Sequence, residues 1–152
     1  MGTIIRVQRD SPISWAWVPF VLARIARFCE KYDTETEPLE MVELVRNLFS
    51  TGDPRLGLWI LVADHQIIGH ILCMPEPFGA NHWKYVLVRE AEIDPDIDVR
   101  KEAEEAFEQI KTWTRSLGLS RIMMLTHRRE DSMARRWSFK PYKAVMQLQL
   151  ED

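Results

Sequence analysis

The sequence has little of what defines several large classes of protein. It contains two cysteines and six glycines in 152 residues. Cys29 and Cys73 have no Cys-x-x-Cys spacing, so we interpret them as small apolar residues in a reducing compartment. No apolar run approaches the roughly 20 residues of a membrane span, and the first ten residues lack the apolar segment of a signal peptide. We therefore expect a cytoplasmic protein with no membrane partner.

The common motifs of metal and nucleophile chemistry are also missing. The four histidines share no metal-ligand spacing, and we interpret each as a turn residue or a hydrogen-bonded strand residue. They are His65, His70, His82 and His127. No serine or cysteine lies in a nucleophile-elbow motif. The sequence predicts no metal site. A net charge of −3 and a hydrophobic fraction of 46% are typical of a globular protein and make nucleic acid an unexpected partner.

The length and the hydrophobic pattern indicate one domain, residues 1–152, with alternating secondary structure. The predicted order is strand, two helices, three strands, helix, strand, helix, strand. The predicted strands cover residues 3–9, 58–64, 66–74, 82–93, 121–126 and 144–150. The predicted helices carry residues 17–32, about 37–51, 97–117 and 130–137. Burial of the apolar faces then favours an α/β (α+β) fold with helices on both faces of a sheet.

The first predicted helix is amphipathic. Its apolar residues recur at spacings of three and four and should face the core. They are Trp17, Val21, Ile25, Phe28 and Tyr32. Its charged residues fall largely on the opposite side. They are Arg24, Arg27, Glu30 and Lys31. Pro19 is expected near the helix start, where its missing amide costs little.

The middle of the chain predicts a tight antiparallel hairpin. Two β-prone runs meet at Asp64 and His65. Gly69, inside the second run, indicates a close backbone approach or a bulge. Residues 75–81 hold two prolines and a glycine, so we expect a loop there. Trp59 and Trp113 are expected in the core.

Four stretches, taken in order, resemble motifs of the GNAT superfamily of N-acetyltransferases. They are IIGHI at 67–71, IDPD at 93–96, WTRSLGL at 113–119 and SFKPYKAVMQLQL at 138–150. The resemblance covers nearly the whole chain. It implies a mixed, mostly antiparallel sheet of about six to seven strands, and an acyltransferase that moves an acetyl group from acetyl-coenzyme A to an amine.

The resemblance also implies where acetyl-coenzyme A would bind. The family presents backbone amides at a helix start to the cofactor's diphosphate, and the matching loop here is 98–103. The implied cofactor-binding residues are Ile93, Val99, Arg100, Lys101, Glu102 and Ala103. Only Ala103 matches the family's glycine-rich pattern. Asp98 departs from that pattern, and a carboxylate about 6 Å from a phosphate opposes binding by roughly 3 kcal/mol at an effective dielectric of about 20. Arg100 and Lys101 are cations that could hold a phosphate.

Three residues are candidates for the proton transfers of such a reaction. Glu90 and Glu92 have the chemistry of a general base that deprotonates the amine, and the alternative interpretation is that both are edge or solvent-facing charges. The family's catalytic tyrosine falls at Ala134 in this chain. Tyr142 and Tyr85 are the nearest tyrosines in sequence that could replace it as the acid.

The charges are divided between the two ends of the second half of the chain. Residues 90–108 hold nine acids and two bases, whereas residues 111–143 hold nine bases and two acids. Such polarity suits self-association or docking on a charged protein surface. Two alternatives to the enzyme therefore stay open. One is a non-catalytic GNAT-fold subunit of a larger assembly, such as a bacteriophage particle, in which case the protein would reside in that particle. The other, less favoured, is a nucleic-acid-binding domain using the basic patch at 128–143.

Overall fold

The computed structural model describes residues 2–32, 36–94 and 97–124, which form three helices and five strands. The strands are β1 (Thr3–Arg6), β2 (Gly57–Ala63), β3 (Gln66–Glu76), β4 (Tyr85–Ile93) and β5 (Ile122–Met124). The helices are α1 (Pro12–Lys31), α2 (Pro38–Thr51) and α3 (Arg100–Ser116). None of the described helices is long and apolar enough to cross a bilayer.

The strands lie in the order β1-β2-β3-β4-β5 in one sheet. Every neighbouring pair is antiparallel except β4 and β5, which run parallel. This arrangement confirms an α+β fold with a mixed, mostly antiparallel sheet. The structure shows five strands in the described residues. The predicted helix at 130–137 and the predicted strand at 144–150 lie outside them.

Alternate residues of the central strands face the two sides of the sheet. On one side, Leu58, Ile60, Leu72 and Met74 form a buried cluster with α1 and α2. On the other side, Trp59 joins a cluster with α3, in which Trp59 and Trp113 meet edge to face with ring centroids 5.7 Å apart. The predicted placement of helices on both faces is therefore confirmed, and so is the burial of both tryptophans.

Helix α1 begins five residues earlier than its apolar pattern suggested, because Pro12 occupies its first turn. Pro19 consequently lies inside the helix, and the prediction that it lies near the start is wrong. Arg24 was predicted on the solvent side and is instead buried. It lies three residues after Val21 and four before Phe28, on the buried stripe, and polar partners in the sheet make that position tolerable for a guanidinium.

The hairpin between β2 and β3 forms as predicted. Asp64 and His65 both have positive φ angles, 51° and 61°, as a two-residue primed turn requires. Gly69 makes the predicted close approach, since a Cβ at this position would lie 2.9 Å from the backbone oxygen of Glu92. The expected loop start at Pro75 is wrong. Pro75 extends β3 beyond Cys73, the last residue that pairs with β2, where an edge tolerates proline.

The boundaries of the later elements shift by a few residues. Strand β4 starts at Tyr85 rather than at residue 82, and α3 starts at Arg100 rather than at residue 97. Gly118, with φ of 77°, follows the end of α3 as predicted. The short strand predicted at 121–126 is described over Ile122–Met124, where its residues are half-buried.

Candidate functional site

A bulge in β4 decides which way its two glutamates point. Cys73 pairs with Val88, but the next pair along the ladder is Leu72 with Glu90, so Arg89 is left over. An extra residue reverses the alternation of a strand. Val88 therefore packs on the α3 side, whereas Glu90 shares the α1 side with Leu72.

Glu90 lies in the core beneath α1. It is 2% exposed, and its Oε1 lies 2.8 Å from Nε2 of His70. Its Oε2 lies 3.5 Å from Sγ of Cys29. Burial, together with the nearby Glu92 charge, raises the pKa of Glu90 to about 8. The interpretation of Glu90 as an edge or solvent-facing charge is wrong. A carboxyl group enclosed in this way has no open path to an amine in solution.

His70 is the neutral partner of Glu90. Burial, together with the positive charges of Arg24 and Arg27, lowers the pKa of His70 to about 3. Nε of Arg24 donates a hydrogen bond to Nδ1 of His70 at 3.3 Å, so the ring proton sits on Nε2 and is donated to Glu90. The two side chains lie at ion-pair distance, yet they form a neutral hydrogen bond. His70 is thus the hydrogen-bonded strand histidine that the sequence predicts, and His65 is the turn residue.

Arg24 connects this buried pair to the protein surface. Its guanidinium donates to the backbone oxygen of Ile67 at 3.2 Å and to Oδ1 of Asp94 at 3.1 Å. It also lies 3.5 Å from Oε1 of Glu92. With Nδ1 of His70 included, four acceptors on β3, on β4 and just after β4 thus surround one buried cation. The charged face of α1 is held against the ends of β3 and β4 by this set of contacts.

Glu92 stands at the outer end of this network, where α1 and the sheet border an open cleft of about 610 Å³. Its side chain is 20% exposed, and its Oε2 lies 3.5 Å from Nζ of Lys31. The cleft is lined by Arg24, Arg27, Glu30, Lys31, Ile67, Glu92 and Asp94. Of the two predicted base candidates, Glu92 therefore reaches the cleft and Glu90 does not.

The start of α3 carries the residues implied for cofactor binding. Oδ1 of Asp98 accepts hydrogen bonds from the backbone amide of Arg100 at 3.3 Å and from its Nε at 3.2 Å. The Asp98 carboxylate raises the pKa of the Arg100 guanidinium. Both side chains are exposed, at 71% and 72%. Asp98 thus occupies part of the place that an anion takes at a helix N-terminus.

The other implied residues divide into a buried and an exposed group. Val99 is buried with Leu61 and Ile68, and Ile93 packs against that cluster. Ala103 is 1% exposed, and its amide donates to the Val99 oxygen at 2.8 Å. Lys101 is exposed. Glu102 is half-buried and accepts a hydrogen bond from the amide of Gly2.

The two tyrosines considered as acids are not brought to the cleft by any described contact. Tyr85 pairs with Glu76 at the opposite end of β4 from Glu92. Tyr142 lies outside the described residues. Within the described ranges, no group of three or more histidine, cysteine, aspartate or glutamate side chains could hold a metal ion.

Sequence reasoning missed Arg24, His70 and Asp94 as members of one network. A signal was present for Arg24, since its spacing from Val21 and Phe28 places it on the apolar stripe of α1. For His70 the sequence predicted a hydrogen-bonded position in a strand but not the partner. The pairing with Glu90 depends on the bulge at Arg89, which the sequence does not mark.

Comparisons with known proteins bear on the fold. A scan against protein-family models and a search of curated protein sequences found no match. Solved structures do match, over nearly the whole chain. Aminoglycoside N-acetyltransferase AAC(6')-Iy in complex with coenzyme A is 13% identical, with a TM-score of 0.69 over 100% of this chain and 96% of that one.

Two further structures give the same result. A predicted acetyltransferase with acetyl-coenzyme A from Clostridium acetobutylicum is 12% identical, with a TM-score of 0.69 over 98% of this chain and 96% of that one. An integron cassette protein from the mobile metagenome of Cole Harbour Salt Marsh is 11% identical, with a TM-score of 0.66 over 97% and 89%. The chain therefore has the fold of the GNAT acetyltransferases, as its sequence motifs suggested.

Proposed function

We propose that this protein is an N-acetyltransferase that moves an acetyl group from acetyl-coenzyme A to a primary amine, with Glu92 as the general base. The observation that carries the proposal is the position of Glu92. Its carboxylate follows the β4 bulge, faces an open cleft and is held by Arg24 and Lys31. The fold shared with structures that contain coenzyme A or acetyl-coenzyme A supports the choice of donor.

Two of the residues at the start of α3 have the charge that a diphosphate-binding site requires. Arg100 and Lys101 are exposed cations in its first turn. The Asp98–Arg100 pair is exposed on both sides, so solvent weakens it and a multiply charged phosphate can displace the carboxylate. Asp94 belongs to the local excess of acids, and Arg24 at 3.1 Å offsets part of its charge. Asp98 opposes binding, so we expect modest affinity for the cofactor.

The chemistry assigned to this chain is the removal of a proton from the amine. When bound, acetyl-coenzyme A supplies the thioester whose carbonyl carbon the free amine attacks. Glu92 takes the amine proton directly or through one water, as a positioned carboxylate does in general base catalysis. The C–N bond forms, the C–S bond breaks, and the leaving thiolate takes up a proton. Tyr142 is the proposed source of that proton by its place in the sequence.

Arg24 and Lys31 orient Glu92 in this proposal. Each contacts a different carboxylate oxygen at 3.5 Å, which restricts rotation of the side chain toward the cleft. A fixed base lowers the cost of reaching the reactive geometry. Arg24 is itself anchored by Asp94 and by the Ile67 carbonyl, so the orientation derives from the packing of α1 on the sheet.

A second candidate function is a non-catalytic binding role within a larger assembly, such as a bacteriophage particle. The observation that favours it is Asp98, whose carboxylate accepts a hydrogen bond from the backbone amide of Arg100 where the fold's enzymes would present amides to a phosphate. The opposite charges of residues 90–108 and 111–143 would suit head-to-tail contact with another copy or with a charged protein. Sedimentation at low and moderate salt tests this role, since charge-driven association weakens as salt rises.

Calorimetric titration with acetyl-coenzyme A tests the proposed enzyme. We expect a dissociation constant in the micromolar range that weakens at moderate salt. Arg100→Ala and Lys101→Ala should each weaken binding, whereas Arg46→Ala, an exposed arginine on α2, should leave it unchanged. Absence of heat at millimolar ligand would exclude the enzyme and favour the binding role.

A further inference from the structure

The cleft beside Glu92 has two walls of opposite charge. Arg27 and Lys31 line it from α1, one helical turn apart. Glu92 and Asp94 line it from the end of β4. Lys31 and Glu92 approach to 3.5 Å, so the cationic and anionic walls are near neighbours. A ligand in this cleft would therefore meet positive charge on one side and negative charge on the other.

The cationic wall has side chains that solvent can reach. Arg24 is buried and engaged with His70, Asp94 and Glu92, so we assign it to holding the anionic wall. Arg27, in contrast, is exposed and lines the cleft. Its guanidinium offers the planar pair of donors that matches a carboxylate. Lys31 provides a second, more flexible cation 63% exposed at the same wall.

The overall charge of the cleft is close to balanced. Glu30, which also lines it from α1, offsets one of the two cations on that wall. On the other wall Arg24 offsets part of the charge of Glu92 and Asp94. A polycation would gain attraction from one wall and suffer repulsion from the other. A molecule with separated opposite charges would be attracted by both walls.

From this geometry we infer that the acceptor is a small zwitterion that carries a primary amine and a carboxylate, as in a free α-amino acid. The inference rests on the proposed acetyl transfer and names the substrate class of the same site. The ammonium group lies toward Glu92 and Asp94, where the base can remove its proton. The carboxylate lies toward Arg27 and Lys31. The cleft volume of about 610 Å³ is within the usual range for small-molecule sites and leaves room for a side chain.

Matched pairs of acceptors test the inference. Each free amino acid is compared with its carboxamide, which keeps the amine and removes the negative charge, and one aminoglycoside is added as a polycation. Acetylation is followed by release of the coenzyme A thiol. We expect kcat/KM to be about tenfold higher for the amino acids than for their amides, the usual value of a hydrogen bond to a charged group. The aminoglycoside should be the poorest acceptor.

Arg27→Gln provides the variant arm. It should reduce the preference for carboxylate over carboxamide by about tenfold, because the ligand carboxylate loses its charged donor. Arg46→Gln is the matched control, since Arg46 is an exposed arginine on α2 that pairs with Glu43 within its own helix. It should leave the preference unchanged. Equal rates for acids and amides, or an equal preference in both variants, would overturn the inference while acetyl transfer itself stands.

A binding measurement separates this inference from the proposed function. Free amino acids and their carboxamides are titrated into the isotope-labelled protein without cofactor. The backbone N–H chemical shifts of α1 and β4 are followed by NMR. Shifts around Arg27 and Glu92 that favour the acid over the amide, and that weaken in Arg27→Gln, support a zwitterion site even if no acetyl group is transferred. If neither ligand shifts these residues, or both do so equally, the zwitterion site is refuted.

Discussion

Nε2 of His70 lies 2.8 Å from Oε1 of Glu90, and almost none of either side chain reaches solvent. Burial holds a proton on Glu90 by raising its pKa to about 8. Burial and two neighbouring arginines, Arg24 and Arg27, keep His70 neutral by lowering its pKa to about 3. The pair therefore couples folding to pH in two opposite directions.

The directions follow from proton counts in the folded and unfolded states. The reference pKa values are 4.5 for Glu90 and 6.5 for His70. From pH 4.5 to about 8 the folded protein keeps a proton on Glu90 that the unfolded chain loses, so this contribution falls as pH rises. From about pH 3 to 6.5 the unfolded chain binds a proton on His70 that the folded protein lacks, so this contribution rises. Above pH 6.5 only the decline from Glu90 remains.

Glu90→Gln should remove that decline. Glutamine resembles the protonated glutamate in shape and does not ionise, so the variant should gain stability relative to the parent as pH rises from 5 to 8. The difference in slope should be of the order of 1 kcal/mol per pH unit. Urea denaturation at several pH values measures it, with the exposed Glu43→Gln as control. Parallel profiles for the parent and Glu90→Gln would contradict an unusually high pKa for this group.

Arg24→Met should destabilise the fold strongly. The change removes the donor for His70 and Asp94 and leaves Glu92 with less compensation at a partly buried site. Loss of one partner of a buried network costs about 3 kcal/mol. Arg46→Met, at an exposed ion pair, should change the free energy of unfolding by less than about 0.5 kcal/mol. Chemical denaturation compares the two, and similar small losses would refute a structural role for Arg24.

Asp98→Asn should improve binding of acetyl-coenzyme A. The side-chain oxygen of asparagine can still accept a hydrogen bond from the Arg100 amide, but the residue no longer repels a phosphate. Because Asp98 is exposed, solvent and salt screen its charge, and we expect a gain in affinity of about three- to tenfold. This is smaller than the roughly hundredfold that corresponds to about 3 kcal/mol of repulsion at about 6 Å. Calorimetric titration at two salt concentrations measures the gain, which should shrink at the higher one. Glu105→Gln removes an exposed acid further along α3 and serves as control. Equal affinities for both variants would place the phosphates elsewhere.

Glu92→Gln should lower kcat for amine acetylation by about 10²–10⁴-fold, the usual contribution of a general base. The loss should be smaller at alkaline pH, where more of the amine is already deprotonated. Glu90→Gln, enclosed in the core, should reduce kcat by less than about tenfold. Steady-state rates from pH 6 to 9.5 separate the two glutamates. A larger loss for Glu90→Gln than for Glu92→Gln would reverse the assignment of the base.

Gly69→Ala should destabilise the protein and disturb the site. The new Cβ would lie 2.9 Å from the backbone oxygen of Glu92, so β3 and β4 would have to separate next to the base. Overpacking of this kind costs about 1–3 kcal/mol. Gly79→Ala is a matched control because nothing lies within 4 Å of its added Cβ. The midpoint temperature of thermal unfolding and the rate of acetylation should both fall for Gly69→Ala. Both should stay near the parent values for Gly79→Ala.

Much of the fold could be predicted because several elements and turns are determined by residues that are close together in sequence. The β-prone runs of β2 and β3 and the turn at Asp64 and His65 determine the hairpin. The glycine at 52 ends α2 in the left-handed conformation that favours glycine. Each of these features depends on residues close together in sequence. The boundaries were less accurate where proline allows two structures, as at Pro75.

The site was harder to predict because it depends on contacts between distant residues. Nothing near Glu90 in sequence distinguishes it from Glu92, and both lie in an acidic segment. The bulge at Arg89 turns both glutamates toward α1. Glu90 then lies beneath the helix and is buried, whereas Glu92 lies at the cleft beside Lys31 and is partly exposed. Arg24 lies 46 residues from His70 and 70 from Asp94, so their contacts arise only from tertiary packing.

The two cysteines lie on opposite sides of the sheet. Cys29 belongs to the cluster beneath α1 and α2, and Cys73 belongs to the cluster beneath α3. Both thiols are buried, and burial raises the pKa of Cys73 far above that of an exposed thiol. A thiol reagent can therefore modify each one only when its own layer detaches from the sheet. The rates of labelling at the two positions would show whether the helical layers open together or one at a time, with no engineered cysteine needed.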